Sequence, residues 1–427
     1  MLANHKTSSL GIYTAQSWLA SPKEKNRLNT ATLQVECLLL LARSIYNIGA
    51  DVIWNHAGSV LRTAMSMGFH RDPTYFKRYS ILHSEIRRRL WATIMEINLQ
   101  ASLSSGMSPG ISVEDFDTEP PSNINDDEID ESMSTHPASH PAHIFTQSSL
   151  QVALFGSFPC RLEVVNLVNK HGVENSYKDI IRLDKELLRN LKDCHAFLAR
   201  VAQDPSARFR PTVFSRKIID LKVQQFLLVL HRPFAIKARD DLKFYYSHKV
   251  YLDTAIAVHS MPFSPILTPD STDDIIEDDY IRFRLMTDGF LKEILIHSVI
   301  IIYQEMIVPL EEDLPGFFQD DRKSIREPYL RLLQDMAELA AQRLAVGETS
   351  AKSHLMYSMA FAHINALEHK ASAEAAMIEA AITSLTQCQE ILRTRISATT
   401  MVEEQCLDGM VEIPGAVDLA IEDWGSK

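Results

Sequence analysis

The chain has 427 residues, 46% hydrophobic and 23% charged, enough apolar surface for one large domain or two to three smaller ones. Its 43 basic and 55 acidic residues leave a net charge of −12, which argues against the basic face of a bare nucleic-acid grip. Five widely separated cysteines with no C-x-x-C pair exclude a disulfide framework and the usual cysteine-rich zinc modules, and read as a reduced intracellular chain.

The N-terminal MLANHKTSSLGIYTAQSWLA lacks a charged segment followed by an apolar one, so no secretory signal is expected. The first clear helix, over 32–48, contains VECLLLLARSIY and is apolar on nearly every face, as a buried central helix is. The next, over 51–67, places Ile53, Ala57, Val60, Leu61 and Ala64 on one side and stops at Gly68, a residue suited to a left-handed C-terminal position. A third, over 84–104, spaces Ile86, Leu90, Ile94, Ile97 and Ala101 by three or four. Between Ala92 and Cys160 there is no Lys or Arg but there are ten acids, nine of them from Glu114 to Glu131. With its prolines, the stretch around 106–143 reads as an extended acidic loop.

Further helices are expected at 144–171, 175–202, 212–231 and 244–260, then at 282–308, 323–346, 350–369 and 372–395. In the last, Ile378, Ala381, Leu385, Cys388 and Leu392 form the packing stripe. The apolar run Ile294–Tyr303, which contains His297, is read as too short to span a membrane, so the chain is taken as soluble. Glycine is scarce, at 14 residues, and no segment alternates with period two. The fold class is therefore all-α, an irregular bundle of antiparallel helices with long acidic loops. The expected organisation is a helical domain over 1–260, an acidic linker over 261–281 containing PDSTDDIIEDD, and a C-terminal helical region over 282–427.

Few constellations suggest chemistry. Gly106–Gly110 matches G-x-S-x-G, but that nucleophile elbow needs a strand before it and a helix after it. Here a helix precedes and an acidic loop follows, so a helix-exit loop is the better reading. His136, His140 and His143 lie in a Ser/Pro/His tract, read as a solvated linker rather than the rigid frame that a zinc site requires. Arg87-Arg88-Arg89 could meet phosphates, but flanking Ile86 and Leu90 favour two arginines reaching solvent and one pairing with a buried carboxylate. Pro233, in His231-Arg232-Pro233, reads as a helix stop. Trp54 and Trp91 read as packing residues rather than ligand contacts. The acidic-apolar VDLAIEDW at 417–424 reads as a short closing helix, with coactivator contact as the functional alternative.

Four segments, in order, resemble the fungal-specific transcription factor domain, the middle homology region of fungal zinc-cluster transcription factors. They are the helix pair of 35–73 ending in Gly68-Phe69-His70-Arg71-Asp72; Glu85-Ile86-Arg87-Arg88-Arg89-Leu90-Trp91; the loop from Gly106 to Pro121 with Asp115 and Asp117; and LVLHRPF with His231, Arg232 and Pro233, followed by Tyr246-Ser247 and LDTA at 252–255. The resemblance covers roughly residues 10–260. The family's tandem tryptophan is Trp91-Ala92 here, its following Asp-Arg is Asn98-Leu99, and its Gly-Arg-Pro loop reads Gly106-Met107-Ser108-Pro109. These departures put the family's buried charge network in doubt.

The resemblance implies a nuclear transcriptional regulator without chemistry of its own. Its partners would be the transcription machinery or a related regulator, with no membrane contact and with room for a small-molecule effector. The family's two zinc ions sit in an N-terminal six-cysteine cluster that reads DNA. The five dispersed cysteines cannot build that cluster, so no cofactor is expected in this chain, DNA would be reached only through a module not found here, and the chain reads as N-terminally truncated. The competing readings are a helical scaffold or inhibitor acting on a full-length regulator, and an uncharacterised helical enzyme.

Overall fold

A computed structural model describes residues 3–20, 28–46, 48–170, 175–202, 208–259, 274–287, 289–311 and 319–410. Among the described residues there are thirteen α-helices and no strand, so the all-α expectation holds. They are α1 (Ala3–Ala20), α2 (Thr30–Tyr46), α3 (Ala50–Ser66), α4 (Ile81–Ser105), α5 (Ser149–Val168), α6 (Tyr177–Ala202), α7 (Val213–Lys237), α8 (Tyr245–His259), α9 (Asp274–Met286), α10 (Phe290–Glu311), α11 (Gln319–Val346), α12 (Lys352–Glu368) and α13 (Ala373–Met410). The chain forms two compact units, one from Ser8 to Asp335 and one from Met336 onward together with the first residues of the chain.

In the larger unit, α2 to α7 enclose a core in which Leu40, Leu61, Trp91, Met95, Val165, Ile180, Phe226 and Leu230 are buried. Local chemistry sets where these helices begin and end. The Ser80 hydroxyl caps α4 by accepting from the His83 N–H (3.2 Å), and Thr212 caps α7 by accepting from the Ser215 N–H (3.0 Å). At the end of α3, Gly68 has φ +74°, its N–H bonds the Met65 carbonyl at 2.9 Å, and the Phe69 N–H bonds the Ala64 carbonyl at 3.0 Å. This paired closure satisfies two carbonyls that the helix end leaves open.

In the larger unit four expectations are corrected. Pro233 does not stop α7, which runs on to Lys237. The next residue, Phe234, is buried against Tyr177 and Phe244, and that aromatic packing holds the helix through a proline that itself faces solvent. Residues 260–273 lie outside those described. From Asp274 the expected acidic linker is already α9, where acids in the first turns are favoured by the helix dipole.

The loop over 106–143 is packed rather than extended and solvated. It buries Ile111, Ile124 and Ile129, and the Asn123 side-chain amide donates to the carbonyls of His140, Pro141 and Ile144 at 3.0–3.3 Å. Finally, the apolar stretch of α10 extends over Lys292–Leu310, long and apolar enough by composition to cross a membrane. Here it is a core helix: Ile294, Val299, Ile302 and Met306 are buried, and Ser298 Oγ lies 2.7 Å from His259 Nε2 of α8.

In the smaller unit, the C-terminal part of α11 with α12 and α13 buries Leu339, Leu344, Tyr357, Ile364 and Cys388. The expected stripe of α13 holds in part: Cys388 is buried as expected, whereas Ile378 and Leu385 are exposed and Ser384 faces inward, where its Oγ lies 2.7 Å from buried His354 Nδ1.

Candidate functional site

The first three motif segments meet in one place. Asp72 follows the α3 closure, and its carboxylate receives both Nε and Nη2 of Arg88 at 2.9 Å, the bidentate geometry that a guanidinium favours. The Thr74 N–H (3.0 Å) and the Glu119 N–H (3.1 Å) also donate to it. Burial alone would raise the Asp72 carboxyl, but Arg88 and these donors hold it well below the usual range. Asp117 binds back from the loop: its carboxylate accepts from the Asp72 N–H (2.9 Å) and pairs with Arg71 Nε (3.0 Å), and its N–H bonds the His70 carbonyl (3.0 Å). Asp115 is not in this group; its carboxylate caps the nearby 3-10 turn through the Ser112 N–H at 2.7 Å.

None of the three motif arginines is spent on solvent, contrary to the sequence reading. Arg87 donates to the Met67 carbonyl at 3.1 Å with its guanidinium 3.8 Å from the Phe69 ring centre. Arg89 bonds Glu85 at 3.0 Å and Asp126 at 2.6 Å. Glu85 is buried and also accepts the Ser122 N–H at 3.1 Å. Trp91 is fully buried, edge-on to Phe116 at 5.8 Å. The acidic loop and the basic helix are therefore complementary parts of one joint, and the arginines are committed within the protein.

The fourth segment lies elsewhere in the same unit. His231 is fully buried, with Nε2 3.1 Å from Asp184 Oδ1 and Nδ1 2.9 Å from Ser247 Oγ. The Tyr246 hydroxyl donates to Asp184 at 2.6 Å, and burial followed by this carboxylate pushes the phenol upward. Asp184, His231 and Ser247 have the residue types and order of contact of a hydrolytic triad. All three have zero relative exposure, so a substrate has no path to the serine, and the cluster ties α6, α7 and α8 together. Arg232 and Pro233 face solvent beside it.

Gly106 closes α4 with φ +66° and Gly110 has φ +63°, so the G-x-S-x-G match is a helix exit. There Ser108 accepts the Trp54 indole N–H through its carbonyl at 3.1 Å. Among the described residues, no three His, Cys, Asp or Glu side chains are grouped to hold a metal ion; His140 instead pairs with Glu128 at 2.8 Å. Cys37 and Cys160 are buried, and burial pushes each thiol up to about 12, which makes them poor nucleophiles.

Sequence reasoning did not foresee a cavity of about 440 Å³ inside the larger unit, walled by α2, α3, α4, α5, α7, α9 and α10. Its lining is mostly apolar, including Trp54, Ile97, Leu154 and Phe158. Its charged lining residues are Glu96, Lys222 and Glu293. Glu96 Oε2 lies 2.8 Å from Arg161 Nη1, and Glu96 Oε1 lies 3.2 Å from Lys222 Nζ. Burial would raise the Glu96 carboxyl, but these two cations hold it down at about 2. Gln100 and Gln225 pair beside them at 2.7–2.9 Å. Glu96, Arg161 and Lys222 thus form a charge network of their own close to Asn98-Leu99, from residues too far apart in sequence to be seen as a motif. Buried Asn98 instead donates to the Pro109 carbonyl at 2.8 Å.

Residues 2–162 match the fungal specific transcription factor domain, the stretch that contains the first three motif segments. The chain is 34% identical to transcription factor asR3 of Sarocladium schorii, over 98% of this chain and 52% of that protein. It is 35% identical to transcription factor opdR of Penicillium oxalicum, over 92% and 51%, and 31% identical to the aspyridones cluster regulator apdR of Emericella nidulans, over 83% and 48%. The chain spans about half the length of these curated relatives. No solved structure matches it. With its interlocked Asp72–Arg88–Asp117 joint and this match, the N-terminal part of the chain is a fungal specific transcription factor domain, and the chain is a relative of fungal transcription factors.

Proposed function

We propose that this chain is the regulatory region of a fungal transcriptional regulator, working in the nucleus through protein contacts and without catalysis. The observation that carries the reading is similarity over 83–98% of this chain to proteins named as transcription factors or as a cluster regulator. The geometry agrees with it. The one compact basic motif is consumed by Glu85, Asp72 and Asp126, so it serves architecture rather than phosphate contact. The Asp-His-Ser grouping noted above is sealed from solvent. With no clustered cysteines in the sequence, DNA would be reached through residues outside it or through a partner. No zinc or other cofactor is assigned to these residues.

One relative is named for control of a gene cluster, and we extend that role to this chain: it sets the transcript level of a group of neighbouring genes. The test is deletion of the coding sequence followed by transcript profiling. A coordinated change in a contiguous gene set is expected. An unchanged profile under conditions where the chain is expressed would overturn the reading.

A further inference from the structure

We propose that the cavity behind α4 is a binding site for a neutral, hydrocarbon-rich small molecule, held by apolar contact and without a charge partner. Its volume, about 440 Å³, falls within the roughly 300–1,000 Å³ of small-molecule sites. Leu41, Ser104, Ser105 and Glu293 of the lining are exposed, whereas Ala92, Ala101 and Phe158 are buried. The cavity is therefore open at one side and closed at the other. Trp54, Ile97 and Leu154 add aromatic and aliphatic wall.

The larger polar side chains of the wall decide the class of ligand, because they already engage one another or the backbone. Glu96 meets Arg161 at 2.8 Å and Lys222 at 3.2 Å. Lys222 also donates to Gln100 Oε1 at 3.3 Å, and Gln100 and Gln225 bond each other at 2.7–2.9 Å. Gln151 Nε2 donates to the Arg89 carbonyl at 2.7 Å and to Thr93 Oγ1 at 2.9 Å. At the open side the Glu293 carboxylate accepts from the Ser104 hydroxyl. The carboxylates of Glu96 and Glu293 stand against the cations of Lys222 and, behind the wall, Arg161, so neither sign is in surplus. A charged ligand would give up its water and meet no counter-charge. A neutral apolar one gives up little hydration and covers apolar wall. The inference does not rest on the transcriptional reading, because its test has no transcriptional readout and either can fail alone.

The test uses the full chain with N-phenyl-1-naphthylamine as an uncharged fluorescent reporter. Three competitors share one alkyl chain and differ in charge: 1-decanol, decanoate and decylammonium, each at neutral pH and below its micellar concentration. The reporter should bind, and decanol should displace it at a concentration at least tenfold lower than either ion requires. Leu154→Trp and Ile97→Trp, on different helices, should fill the space and weaken the reporter at least tenfold, with the melting temperature recorded as a check of folding. Displacement by either ion within tenfold of the alcohol would overturn the neutral class of ligand. No reporter binding by the unsubstituted chain, or binding that a folded filled variant leaves intact, would overturn the site.

Discussion

At the residue scale, the Asp72–Arg88 pair shows what the domain's recognisable motifs are for. Both side chains are buried, at 4% and 11% exposure, so removing one partner strands the other. Arg88→Met should lower stability by about 3–5 kcal/mol. In a chemical-denaturation double-mutant cycle, Asp72→Asn added to Arg88→Met should cost much less than Asp72→Asn alone; additivity would mean that the pair is not coupled. Gly68→Ala should cost about 1 kcal/mol, from its φ of +74° rather than from crowding, since a Cβ there would meet nothing closer than 3.8 Å.

The Glu96 carboxyl, held near 2 against an ordinary 4.5, contributes stability above pH about 4.5 that is lost as pH falls toward 2. The shift corresponds to roughly 3 kcal/mol. Glu96→Gln should therefore flatten the decline in urea stability between pH 5 and about 2.5, whereas parallel curves would contradict this account. Sequence alone could pair an arginine of 87–89 with a buried acid. It could not show that all three arginines are engaged, because Asp126 is brought to them only by the folded loop and the Met67 carbonyl only by the packed end of α3.

At the scale of elements, periodicity located the helices that bury a wide apolar face, such as α2, α3, α4 and α6. It faltered where a local signal competed with packing. Pro233 is a breaker by its own chemistry, yet Phe234 carries α7 past it. Pro233→Ala should consequently leave the melting temperature unchanged or raise it, because a backbone donor returns to an exposed helical position; a marked fall would show that the ring is needed. α9 was hidden by its acids, which read as linker although they occupy the favourable end of a helix. On α13, the apolar spacing alone chose a stripe through Ile378 and Leu385. Those two residues face outward while Ser384 turns inward to His354, and no pattern of hydrophobic residues encodes such a polar partner.

At the scale of the molecule, the net charge of −12 is not spread as a repulsive field over a bare loop. Much of it sits in the 114–131 segment, where Asp117, Glu119 and Asp126 reach Arg71, Asp72 and Arg89 of the motifs through side chain or backbone. The all-α class was legible because helical period and scarce glycine agree, and the motif residues were legible by resemblance. The cavity was not, since Trp54, Leu154 and Lys222 come from helices that meet only in three dimensions. The segment 417–424, read for coactivator contact, lies outside the described residues.

The central proposal is that this fold regulates transcription without reading DNA through its own basic motif. The most direct measurement is a reporter assay in a fungal nucleus with the full chain joined to a heterologous DNA-binding domain. The account predicts reporter output that differs from that of the DNA-binding domain alone, and loss of the difference when Arg88→Met unlocks the joint. Output indistinguishable from the DNA-binding domain alone, with the fusion expressed and folded, would contradict it.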